Sequence, residues 1–243
     1  MNAVKDHVFA IYRTFSLLIQ GKFLLFFIPG IAIAIFYLLY LKSVSTVSSY
    51  LEVVSYVPWI GGYLETGVGV LYGWIEGISL FLYQFVIISL LSPFHTILSE
   101  KVDLHETGNK FKVGWEKIVN DIVRTLGVVI LGGLMYLFFK LIWLLIAWLL
   151  GISFLNPIVG AILIGFFTGF NSYDYSLERY DISVFKSWGY AFRHPLHMIL
   201  TGGIFSTLLF IPYIGVVIAP VFLTMVGTIC FLKIEERKKM LRR

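Results

Sequence analysis

Two lysines and two opposite-charge sets are the residues of this 243-residue chain whose type and position could do chemistry. Lys22 follows Gly21 at the edge of the first apolar stretch, and Lys140 interrupts a later one, flanked by Phe138-Phe139 and Leu141-Ile142. An ammonium group inside an apolar helix costs about 2.5–3.5 kcal/mol on insertion scales unless it meets water, the protein interior or a counter-charge. Lys22 and Lys140 are therefore candidates to meet an anion, with snorkelling or a structural ion pair as the alternative for Lys140. Glu76 also breaks an apolar helix, as a structural partner or as part of a path. Glu100, Arg124, Asp174 and Arg179 sit where apolar stretches end. The expected pairs are Glu100 with Arg124 and Asp174 with Arg179, holding the membrane elements or gating their mouth.

Other chemistry finds little support. No Gly-x-Ser-x-Gly elbow and no phosphate-binding loop occurs, so neither hydrolysis nor nucleotide coupling is expected, and the chain does not read as an enzyme. Of the five histidines only His194 and His197 are close in sequence, and no metal site or other cofactor is expected. The single cysteine, Cys230, lies in the last apolar stretch and reads as a buried thiol.

The elements that position these residues belong in a bilayer. Apolar residues make up 58% of the chain and charged residues only 14%, with a mean hydropathy of +0.87, which excludes an ordinary soluble domain. The net charge of +5 comes from basic residues flanking apolar segments, densest over Lys233–Arg243, which reads as a lipid-facing topology anchor and not as a nucleic-acid surface. The arm before the first apolar stretch has no small-residue cleavage site, so no removable signal peptide is expected.

The expected fold is all-α, a single membrane domain over 1–243. Its parts are a cytoplasmic arm (1–22), transmembrane helices at 23–41 and 68–91, a cytoplasmic helical segment (92–124), a membrane hairpin (125–170), a cytoplasmic segment (171–195), a second hairpin (196–232) and a basic cytoplasmic tail (233–243). Lys and Arg in the arm, in 92–124, in 171–195 and in the tail place all four, and both termini, in the cytoplasm. Residues 113–124 are amphipathic at helical spacing, with Trp115, Ile118, Val119 and Ile122 on one face. The hairpin turns fall at Asn156-Pro157 and at Pro212, with Pro220 close behind the second. The return arm Pro157–Phe170 covers only ~21 Å at a helical rise of ~1.5 Å per residue, against a hydrocarbon core of ~30 Å. Two hairpins that stop partway and pack tip to tip are the leading arrangement. Six ordinary crossings, with tilt and bilayer thinning absorbing the mismatch, are the alternative.

Three segments carry a family resemblance. They are Ser92-Pro93-Phe94-His95 followed by Glu100, Asp174-Tyr175-Ser176 followed by Arg179, and Ile211-Pro212 with Pro220 eight residues beyond the first proline. In this order they resemble the CysZ family of bacterial sulfate uptake proteins, over about Pro29 to Gly227. The resemblance implies an inner-membrane protein with two transmembrane helices, two hemi-penetrating hairpins and both termini cytoplasmic. It further implies a homo-oligomer that passes sulfate inward for cysteine synthesis, as a channel without ATP. Its partners are then sulfate or a similar oxyanion and the lipid bilayer. The family's Gly-Leu/Ile-Arg-Arg segment, associated with anion binding, is Gly21-Lys22-Phe23-Leu24 here, so one point cation stands in for a pair of guanidinium forks. His95 replaces the Asn of Pro-Phe-Asn, and Ser176 replaces the Pro of Asp-Tyr-Pro. A membrane scaffold or accessory subunit without transport of its own is the alternative function that this loss of arginines favours.

Overall fold

The structure is a computed structural model of the chain and describes residues 2–32, 35, 39, 42, 91–110, 115–211 and 214–241, with the side chains of 115–122, 216 and 241 left out. The chain divides into two compact units, residues 1–28 with 92–243, and residues 29–91. Part of the expected crossing at 23–41, nearly all of that at 68–91 with Glu76, and Pro212 lie outside the described residues. Helices account for every regular element among the described residues. Three are long and apolar enough to cross a membrane, at Val123–Leu150, Ser153–Arg179 and Val217–Met240, so the chain is an all-α membrane protein.

Helix α1 spans Asn2–Ile19 and buries Ala3, Asp6, His7, Ala10, Thr14 and Leu17, a spacing of three and four that puts them on one face. It ends where Gly21 turns left-handed, φ +76°, and the amides of Gly21 and Lys22 bond back to the carbonyls of Leu18 and Leu17 at 2.9 and 3.1 Å. This Schellman closure satisfies carbonyls that the helix end would otherwise strand, and it suits glycine because φ there is positive. A short 3₁₀ turn follows at Leu24–Phe26.

Helix α2 covers 91–107. The first hairpin is α3, Trp115–Leu150, joined to α4, Asn156–Arg179, through a 3₁₀ turn at Ser153–Leu155. Gly151, φ +67°, closes α3 in the same way as Gly21 closes α1. Asn156 accepts a hydrogen bond from Trp143 Nε1 at 2.9 Å, tying one arm to the other, and Pro157 stands in the first turn of α4, where its missing N–H costs nothing. Contrary to the short return arm expected over 157–170, α4 runs unbroken to Arg179, because its last turns bury polar residues against other helices.

The amphipathic helix α5 spans Val184–Arg193 and turns Ser187, Trp188, Tyr190 and Ala191 inward. The second hairpin is α6, Pro195–Leu209, followed by α7, Ile214–Leu241. Pro220 lies within α7, beyond the bend rather than at it. The apolar window of α7 is 72% buried and that of α3 is 0% buried, so α7 is the central helix of this unit and α3 lies at its edge. Between the hairpins, α4 and α6 meet at Gly165, Gly169 and Gly202. A Cβ on Gly169 would stand 1.9 Å from the Met198 carbonyl oxygen, and one on Gly202 the same distance from the Gly165 oxygen. Close approach through small residues is how membrane helices gain van der Waals contact where lipid is as apolar as the partner helix.

Candidate functional site

The turn after α1 and the C-terminal half of α2 enclose an open cleft of ≈ 520 Å³. Gly21, Lys22 and the 3₁₀ turn through Phe26 form one wall, and Lys101, Leu104 and His105 form the other. The Gly21 closure and the left-handed Phe23, φ +65°, aim Lys22 across the opening, where Nζ lies 3.2 Å from His105 Nε2. Lys101 and His105 are four residues apart on α2 and so lie on one helix face. Lys101 Nζ lies 5.6 Å from the centre of the Phe26 ring, a cation–π placement that holds the charge beside the cleft. Arg13 donates to Glu106 at 2.9 Å and fixes α1 to α2 next to this opening. The arrangement gathers two ammonium groups and an imidazole over an apolar floor, a set that suits a small oxyanion.

Beneath it, α2, α3, α4 and α7 share a buried polar core. Arg124 forms a two-point contact with Asp174, Nη1 to Oδ2 at 2.8 Å and Nη2 to Oδ1 at 2.9 Å. Its Nη2 also donates to the Ile182 carbonyl at 3.0 Å and to Ser187 Oγ at 2.8 Å. Glu178, one turn beyond Asp174, lies 3.8 Å from Arg124 and accepts from Thr96 at 3.2 Å. Arg179 pairs with Asp103 at 2.8 Å, the side chains 1% and 0% exposed, and donates to Ser99 at 2.8 Å. Ser99 lies 3.1 Å from Ser176 and 2.7 Å from Thr228, so one hydroxyl joins α2, α4 and α7. Removing one partner from a buried pair of this kind costs ~3–5 kcal/mol, because the other charge is left without compensation.

The expected residues are thus regrouped. Gly21 and Lys22 fall in the cleft together. Lys140 does not line it; it stands exposed on α3 with Nζ 5.6 Å from the Tyr136 ring centre. Arg124 and Asp174 do pair, but with each other, and Arg179 pairs with Asp103. Asp174 and Arg179 are five residues apart on one helix, about 140° around its axis at ~3.6 residues per turn, so they face different neighbours. Glu100 does not pair with Arg124; its charge acts instead on Arg179.

Lys101, His105, Asp103 and Ser99 are the site residues that sequence reasoning missed. Their signal is the three- and four-residue spacing of polar groups from Ser92 to Glu106, which marks two polar faces on a helix beside the membrane. No curated protein matches the chain. A family model does match residues 10–227, an extent that includes the cleft, the Arg124–Asp174 and Arg179–Asp103 pairs, the first hairpin and the second as far as the middle of α7, and the chain belongs to that family, Sulfate transporter CysZ/Etoposide-induced protein 2.4.

Proposed function

We propose that this protein is a facilitator for sulfate or a closely related small oxyanion in the bacterial inner membrane, with both termini cytoplasmic, and that it serves sulfur assimilation as a homo-oligomer. The observation that carries the reading is the convergence of Lys22, Lys101 and His105 on one open cleft in a member of a sulfate transporter family. Where the family's arginine pair is missing, a second cation comes from α2, so the charge needed to attract a dianion is divided between two elements. The buried pairs Arg124–Asp174 and Arg179–Asp103 hold α2, α3 and α4 in register beneath the cleft. They act through position and do not touch the ion. Lys140, on the outer face of α3, neutralises charge along the membrane path only where a second copy or another segment covers it.

Radiolabelled sulfate influx into proteoliposomes tests the reading. Lys22→Ala and Lys101→Ala each reduce influx about tenfold, roughly 1.4 kcal/mol per lost charge contact. Wild-type protein that conducts no anion in planar bilayers overturns the transport reading and favours the scaffold.

A further inference from the structure

The contact between Lys22 and His105 fixes more than the shape of the cleft. An ammonium group has three donors and no lone pair, so at 3.2 Å the Lys22 Nζ donates and His105 Nε2 accepts. The imidazole is therefore neutral in this arrangement, with its hydrogen on Nδ1 and its Nε2 lone pair directed at Lys22, on the wall of the cleft. The charged groups around it are Lys22 from the turn after α1, Lys101 on its own helix, and the Arg13–Glu106 pair that joins α1 to α2. Phe23 meets the ring at its edge, 6.4 Å between centres.

A lone pair in an oxyanion site is a discriminating feature. Sulfate has no hydrogen at physiological pH and offers only acceptors, so it repels an unprotonated Nε2. Hydrogen phosphate and hydrogen sulfite keep one hydrogen and can donate it. We propose that His105 sets which oxyanion the cleft accepts: unprotonated, it favours an oxyanion that carries a hydrogen, and it takes sulfate only together with a proton on Nε2. The step is a protonation. A proton from solvent binds Nε2, Lys22 releases the ring, and Lys22, Lys101 and the imidazolium all donate to the dianion. Binding and protonation are then reciprocal, each strengthening the other by the same factor. The inference rests on the proposed oxyanion reading of the cleft.

The test is equilibrium binding to full-length protein in nanodiscs of zwitterionic lipid, with sulfate and inorganic phosphate as separate probes at pH 8, 7 and 6. Sulfate affinity is expected to rise by up to about tenfold per pH unit of acidification, the ceiling for one linked proton. At pH 8 hydrogen phosphate binds more tightly than sulfate. His105→Arg, a permanent donor, makes sulfate binding strong and independent of pH, and His105→Gln flattens the pH profile for sulfate. A sulfate profile that keeps its slope in His105→Arg overturns the proposal and leaves the cleft reading standing. Binding of both probes that is unchanged in Lys22→Gln and Lys101→Gln overturns the cleft reading, and the proposal with it.

Discussion

His95 shows how a single buried side chain makes this fold sensitive to acid. Its Nδ1 lies 3.1 Å from Thr224 Oγ1, whose own hydrogen goes to the Pro220 carbonyl at 2.9 Å, so Nδ1 is the donor and carries the ring's hydrogen. The ring stacks on Tyr175 with centres 5.5 Å apart, and Nε2 has no hydrogen-bond partner among the described residues. A proton added there would be a charge in a dry site, and burial accordingly lowers the His95 pKa to about 4. The unfolded chain takes up that proton near pH ~6.5. Stability from neutral His95 is therefore complete above ~6.5 and is lost progressively as the pH falls toward about 4, in all ~3 kcal/mol. His194, lowered to about 4 by burial and by Lys238, His197 and Arg193, adds a smaller slope of the same sign because it is half-exposed. Melting temperature of the detergent-solubilised protein should drop between pH 7 and 5, and His95→Asn, the residue of the family pattern, should remove most of the drop. An equal drop in His95→Asn would clear His95 of the effect. At this scale the sequence reveals which residues are unusual but not whom they meet. Lys22 stands out because it is a lone charge beside apolar residues, whereas Asp103 and His105 look like ordinary members of a polar helix until α1 and α4 fold against them.

The elements are held by shape as much as by charge. Gly165 and Gly169 lie one turn apart on α4 and let α6 approach until backbone touches backbone at Met198, Ile199 and Gly202. A methyl group at position 169 needs the space of the Met198 carbonyl oxygen, 1.9 Å away, and neither backbone can yield without breaking its own helix. Gly169→Ala should therefore destabilise the protein by at least ~1–3 kcal/mol, the range for overpacking a tight interior. Gly160 on the same helix has open space around it, and Gly160→Ala should stabilise by up to ~1 kcal/mol through helix propensity alone. Opposite signs in thermal melts of the two variants are the expected outcome; equal, small effects would mean that α4 and α6 do not cross this closely. The apolar helices of the hairpins are legible in sequence from hydropathy, and both bends from their glycine and proline, whereas α1 falls in what the sequence reads only as a cytoplasmic arm. The crossing is not, because glycines at 165, 169 and 202 acquire a common purpose only when two distant segments meet.

Across the whole molecule the open matter is depth. The 15 residues of α6 rise ~22 Å, about 8 Å less than the hydrocarbon core, so a hairpin built on this arm ends inside the bilayer unless the membrane thins around it. The bends themselves are apolar: Phe210 is 85% exposed beside Ile211 and Ile214, and Phe154 is 75% exposed beside Leu149 and Leu150. Tips that emerged into water would expose these side chains against a hydrophobic cost of ~25 cal/mol per Å². Lys and Arg, by contrast, gather at the opposite ends of the hairpins, at Arg124, Arg179, Lys186, Arg193 and the tail. A half-crossing suits both distributions for the second hairpin, whose arm α6 is short, whereas the arms of the first, Val123–Leu150 and Ser153–Arg179, are each long enough to cross. The two arrangements separate in a labelling experiment on the full chain with Cys230→Ala, a substitution that removes the one native thiol. Phe154→Cys and Phe210→Cys are expected to resist a membrane-impermeant maleimide applied to either face of sealed vesicles, while Lys186→Cys, exposed on α5, reacts from the cytoplasmic face alone. Reaction of either tip from the outer face would establish a full crossing for that hairpin.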